Sequence, residues 1–151
     1  LAVGVDIICA QGGEGGGHTG DVPTSVLIPK VVDLCRGHMS PLTNQQVSVV
    51  AAGGIFDGRG LAMALSFGAD AVWVGTRFIC ATEAGAPPRH QQGVVNAGYH
   101  DTIRTIIYTG RPLRVLRNKM PVLCVCVSVC VCLCMSICVY MCLRLYVSVY
   151  S

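Results

Sequence analysis

Val47-Ser-Val-Val-Ala-Ala-Gly53-Gly54-Ile55-Phe-Asp57-Gly-Arg-Gly60-Leu-Ala-Met63-Ala-Leu-Ser-Phe67-Gly68-Ala-Asp-Ala71-Val-Trp73-Val74-Gly75-Thr76 is the stretch on which the reading of the fold rests. Residues 47–52 form an apolar run too short for a helix and without polar alternation, which predicts a strand buried on both faces. Gly53-Gly54 ends it. Asp57 has the acceptor side chain of a helix N-cap, and the helix it starts is expected to run to about Phe67. Leu61, Ala64 and Leu65 would lie on its inner face, and Gly68 would stop it. Residues 71–74 predict the next strand, which ends at Gly75-Thr76. Strand, helix and strand in this order form a parallel βαβ unit.

The same grammar extends backwards. Residues 5–10 (Val-Asp-Ile-Ile-Cys-Ala) predict a further buried strand. The loop from Gln11 to Asp21 follows, with glycine at positions 12, 13, 15, 16, 17 and 20. A helix is expected over 25–35, with Pro29 tolerable only near its first turn, and a polar loop over 36–46. Beyond the third strand a helix is expected over 89–97, after Pro87-Pro88. Residues 102–118 are basic and amphiphilic and have no clear assignment. The fold class is therefore α/β with a parallel sheet, and ligands in such folds bind at the C-terminal strand ends.

Composition narrows the function. The chain has 151 residues and a net charge of +3, with 13% charged residues and 52% hydrophobic ones. These values exclude a disordered charged tail protein and leave no concentrated basic stripe for nucleic acid. Arg104, Arg111, Arg114 and Arg117 could form an anion patch, but a solvated face is the default reading. Of the 10 cysteines, Cys9, Cys35 and Cys80 are scattered through the body. That usage fits a reduced intracellular protein without a disulfide framework. The opening Leu-Ala-Val-Gly has neither an initiator Met nor a signal peptide and suggests a chain cut from something longer. A cytoplasmic location is expected, with mitochondrial or membrane-tethered placement left open.

Two motifs carry chemistry. In Gln11-Gly-Gly-Glu-Gly-Gly16-Gly-His18 the glycines admit close approach of a ligand, and His18 offers one imidazole able to work as a base or donor near neutral pH. The plainer possibility is a flexible loop with a solvated His, but its place directly after a buried strand favours function. In the second motif, Gly53-Gly54 and Gly75-Thr76 end neighbouring strands about 22 residues apart and can turn backbone N–H groups towards one phosphate. Two tight strand–helix turns would be the plainer reading. His38, His90 and His100 are expected at the surface, Met63 in the core, and Gly60 at a helix-packing contact. Trp73 could pack beneath a helix or line a ligand. No His, Cys or carboxylate set in the body has metal-ligand spacing.

Together, Ala10-Gln-Gly-Gly-Glu-Gly-Gly-Gly-His18-Thr-Gly20, Val50-Ala-Ala-Gly-Gly-Ile-Phe-Asp-Gly-Arg-Gly60, Gly68-Ala-Asp70, Val74-Gly-Thr-Arg-Phe78, Thr109-Gly-Arg-Pro112 and Arg117-Asn118 resemble the nitronate monooxygenase family, once called 2-nitropropane dioxygenase. The resemblance implies a (β/α)8 TIM barrel, of which only about the last three β/α units are present, over residues 1–118. It implies FMN as cofactor and an alkyl nitronate and O2 as small-molecule substrates. Gln11 and Gly16 would contact the flavin. Gly53, Gly54, Trp73, Val74, Gly75 and Thr76 would hold its ribityl phosphate. His18 matches the histidine that assists substrate deprotonation or orientation beside the flavin. The family loop usually has Ala where this chain has Gly15, which is expected to loosen the loop. Three strands alone would leave apolar edges and faces open, and a fragment of this kind is expected to be inactive by itself.

Residues 119–151 form a separate low-complexity tail with seven cysteines, from Cys124 to Cys142. Valine (GTG) and cysteine (TGT) alternate as a GT repeat would translate, so the tail is read as a gene-model or read-through artefact. A membrane span with Arg114, Arg117 and Lys119 as its cytoplasmic flank is the alternative, and a cysteine metal array is a weaker one. Two other functions stay open: an FMN-dependent enoyl-thioester reductase, and a non-catalytic fragment with a membrane-spanning tail.

Overall fold

The computed structural model describes residues 4–117. Three strands, β1 (Ile7–Gln11), β3 (Ser48–Ala52) and β4 (Ala71–Trp73), form one parallel sheet in the order β1-β3-β4. Between β1 and β3 lie the two-residue strand β2 (Gly17–His18) and helix α1 (Thr24–Cys35). Helix α2 (Gly58–Ser66) connects β3 to β4, which continues into a 3-10 turn (Thr76–Cys80) and helix α3 (Pro88–Asn96). The βαβ reading therefore holds, and β1 runs one residue further than expected, through Gln11.

Register is fixed at both ends of β3. Ala10 pairs with Ala51 and Gln11 with Ala52, while Ala52 also pairs with Trp73. The three strand ends thus stand side by side. At the opposite end, the Asp70 carboxylate accepts from Val49 N–H at 2.7 Å and Asp70 N–H donates to Val49 C=O at 2.8 Å, which locks the entry of β4 to β3.

The core is small. Ala10, Ile28, Ala51, Ile55, Ala64 and Ala69 form one buried cluster, flanked by Leu27, Val31, Val32 and Val72. Cys35, Val47 and Val49 form another. On α2 only Ala64 is buried; Leu61 and Leu65, expected beside it, are 39% and 48% exposed, and Met63 is half-buried rather than central. Likewise β1 is covered on one side only: Ala10 is buried while Ile7 is 62% exposed. The expected burial of both strand faces is met in β3 alone.

Pro29 corrects a second expectation. It is the sixth residue of α1, beyond the first turn, where its missing N–H leaves the Ser25 carbonyl without its helical donor. Asp57 behaves as its sequence position predicts. Its carboxylate accepts from the N–H groups of Arg59 and Gly60, and Gly68 closes the helix at φ +92°.

The basic stretch left unassigned is a hairpin. Strands β5 (Thr102–Thr105) and β6 (Leu113–Leu116) pair antiparallel, and β2 adds to the outer side of β6. The second sheet therefore has the order β2-β6-β5 and takes its third strand from the glycine loop. Among the described residues no helix is long and apolar enough to cross a membrane. The readings offered for residues 119–151 lie outside the described residues.

Candidate active site

The glycine loop lies across the two glycine turns. Gly12 N–H donates to Ala52 C=O at 2.9 Å, extending the β1–β3 pairing by one rung. Gly53 has φ +95°, and a Cβ there would lie 2.6 Å from the Gly12 carbonyl oxygen. Gly54 has φ +73°, and its Cβ would lie 2.9 Å from Glu14 Cβ. A Cβ on Gly16 would lie 2.5 Å from Thr76 Oγ1. The loop after β1 thus lies against the turns after β3 and β4; the positive φ of Gly53 and Gly54 requires glycine there, whereas Gly16 faces only the Thr76 hydroxyl.

Glu14 fastens the loop. Its carboxylate accepts from Thr24 N–H at 2.9 Å and lies 2.7 Å from the Thr24 hydroxyl. It thereby meets an otherwise unpaired donor at the start of α1. Burial pushes the Glu14 carboxyl up, but the bonds from Thr24 and the attraction of Arg114 outweigh it and hold the group below the usual carboxylate range. Arg114 reaches from β6 to the Gly13 carbonyl at 3.0 Å, and Arg104 from β5 to the Gly20 carbonyl at 3.1 Å. The arginines read as a solvated face are thus partly structural: two of them clamp the loop. Glu14 and these arginines gave no local signal of that role, since their partners are remote in sequence.

At the far end of the loop His18 is exposed, and its Nε2 lies 2.9 Å from Thr109 Oγ1. Gln11 Nε2 donates to the His18 carbonyl at 2.7 Å. This bond uses space at Gly15, where a Cβ would lie 2.5 Å from Gln11 Nε2. The glycine at 15 therefore does more than loosen the loop: it makes room for the side chain that braces His18.

Gly75 and Thr76 are exposed, and a Cβ on Gly75 would meet open space. The backbone N–H groups of Gly54, Gly75 and Thr76 donate to no acceptor among the described residues. Trp73 is 66% exposed, so it does not pack beneath a helix. Val74 instead packs its side chain against the core. His38, His90 and His100 are exposed, as expected, and no group of three or more His, Cys, Asp or Glu among the described residues could hold a metal.

Three parallel strands joined by helices, with the glycine loop after β1 lying against the turns after β3 and β4, define an α/β protein. The particular family follows from comparison with known proteins: the nitronate monooxygenase family model matches residues 1–126, and the chain belongs to that family. It is 44% identical over 119 residues to an octahydro-1H-indene-4-carboxyl-CoA dehydrogenase of Mycobacterium tuberculosis, a match that covers 79% of this chain and 32% of the relative. Among solved structures, FabK of Thermotoga maritima superposes with a TM-score of 0.67 at 40% identity, covering 80% of this chain and 35% of that one. Nitroalkane oxidase of Streptomyces ansochromogenes gives a TM-score of 0.67 at 34% identity, covering 78% and 34%. The chain spans about a third of the length of these relatives.

Proposed function

We propose that the chain supplies the last three β/α units of a barrel and, with them, part of an FMN-dependent site that oxidises alkyl nitronates with O2. The observation that carries this reading is the convergence of the loop and turns: Gly16 against Thr76, Glu14 against Gly54, and His18 at the loop's end. The cofactor fits these residues. The N–H groups of Gly54, Gly75 and Thr76, without an acceptor among the described residues, suit a phosphate, and Gly53 gives that turn its shape. Trp73 and Val74 would bring the end of β4 to the same phosphate. Gln11 and Gly16, on the loop, would border the ring system. FMN would supply the redox capacity of the reaction.

His18 is the group placed to hold or move a proton. It is exposed to the loop side, its backbone is braced by Gln11, and its ring is held by Thr109. A single positioned base of this kind typically contributes about 10²–10⁴-fold. The test is oxygen uptake with FMN and an alkyl nitronate once the purified chain, expected to be inactive alone, is combined with the missing β/α units of the barrel. Turnover is expected to fall by about 100-fold or more in H18N, with FMN binding retained.

A second reading keeps the cofactor and changes the substrate to an enoyl thioester. The carboxyl-CoA compound named for the M. tuberculosis relative favours it. NAD(P)H consumption with an enoyl thioester, without oxygen uptake on nitronates, would replace the first reading with the second. A chain that stays colourless with FMN would support the non-catalytic alternative.

A further inference from the structure

The turn between β5 and β6 delivers a hydroxyl to the histidine of the glycine loop. Pairing of β2 with β6 sets His18 opposite Leu113, and Thr19 N–H donates to Pro112 C=O at 3.1 Å. These bonds lay the end of the loop along residues 109–113. The turn itself is closed by Gly110 N–H donating to Ile106 C=O at 2.8 Å, with Gly110 at φ +71°. Thr109 Oγ1 is thereby held 2.9 Å from His18 Nε2, across 91 residues of sequence.

A threonine hydroxyl has one proton to give and lone pairs to offer. The Arg111 carbonyl, 3.4 Å from Thr109 Oγ1, can only accept. With the hydroxyl proton directed there, the oxygen presents a lone pair to His18. Nε2 must then carry the ring proton, and the partner of one ring nitrogen sets the state of the other. No second partner of the His18 ring is present among the described residues. The bond from Gln11 goes to the His18 backbone and leaves the ring free to be set by Thr109.

We propose that Thr109 is a positioning residue that holds His18 as the Nε2–H tautomer and so makes Nδ1 the nitrogen able to take a proton. The inference rests on the reading of His18 as the site's base, but its test does not. In the full chain with 15N-labelled histidine, the imidazole nitrogen shifts report the tautomer of neutral His18 directly. H18Q identifies the resonance among the four histidines. The wild-type chain is expected to show the Nε2–H form. T109V, which keeps the shape and removes the hydroxyl, is expected to raise the population of the other tautomer, and T109S to restore the wild-type pattern. An Nδ1–H form in the wild type, or a T109V spectrum unchanged from it, overturns the proposal. If T109V fails to fold, T109A takes its place, because a free imidazole already favours the Nε2–H form and the wild-type spectrum alone can only overturn the proposal. Flavin binding is measured separately: an Nε2–H tautomer in a chain that binds no FMN would overturn only the functional reading.

Discussion

At the residue scale, the loop's glycines are not equivalent. Gly53 combines positive φ with backbone facing its absent side chain, so G53A has nothing flexible to push aside. It is expected to cost about 1–3 kcal/mol, the scale of one strained backbone position, read as a lower denaturant midpoint. Gly15 differs, because the atom in the way is the end of the Gln11 side chain. G15A is expected to change stability by less than about 1 kcal/mol, the lost bond offsetting the gain in chain stiffness. Its effect should appear instead as weaker protection of the His18 loop in hydrogen exchange. The sequence shows that glycines crowd here and that His18 ends the run. It does not show which glycine is essential, because that depends on what each one faces. Thr109 was legible only as part of a motif, since nothing local connects it to a histidine so far upstream.

At the element scale, the parallel sheet could be read because each of its strands is an apolar run with a glycine turn, followed by a helix with its own signals. Asp57 is the clearest of these: D57A is expected to lower the thermal midpoint and D57N to recover most of it, since Asn caps nearly as well. The close Arg59–Asp57 ion pair is exposed and adds little. The second sheet could not be read. Gly17 carries no side-chain pattern, β2 is only two residues long, and its pairing with β6 is remote. The link between the loop and α1 is likewise electrostatic and non-local. Because Glu14 titrates lower in the folded chain than in the unfolded one, its stabilising effect is complete above the unfolded value and disappears as pH falls through the folded one. E14Q is therefore expected to flatten the acid limb of a stability–pH profile. An unchanged limb would mean that the Thr24 contacts contribute nothing to folding.

For the molecule as a whole, the described residues expose much apolar surface for so small a core. Ile7, Trp73 and Phe78 are each more than half exposed, as are Val26 and Leu34 on α1. The sequence reading anticipated open apolar faces from the strand count. Strand burial is lower than the apolar runs imply, because an apolar run does not require that both of its faces be covered. Trp73 gives this surface an optical handle, as the single tryptophan of the chain. Its emission is expected to be quenched readily by acrylamide and protected by a ligand bound at the end of β4.

On the proposed reading, the turns after β3 and β4 hold the phosphate of a flavin mononucleotide. The most direct test compares FMN with riboflavin, which has the same ring system but no phosphate, by titration of the purified chain followed through flavin and Trp73 fluorescence. FMN is expected to bind at least about tenfold more tightly, equivalent to about 1.4 kcal/mol, and G54V to abolish that difference. Equal affinity for the two flavins, or no change in Trp73 emission with either, would contradict the claim.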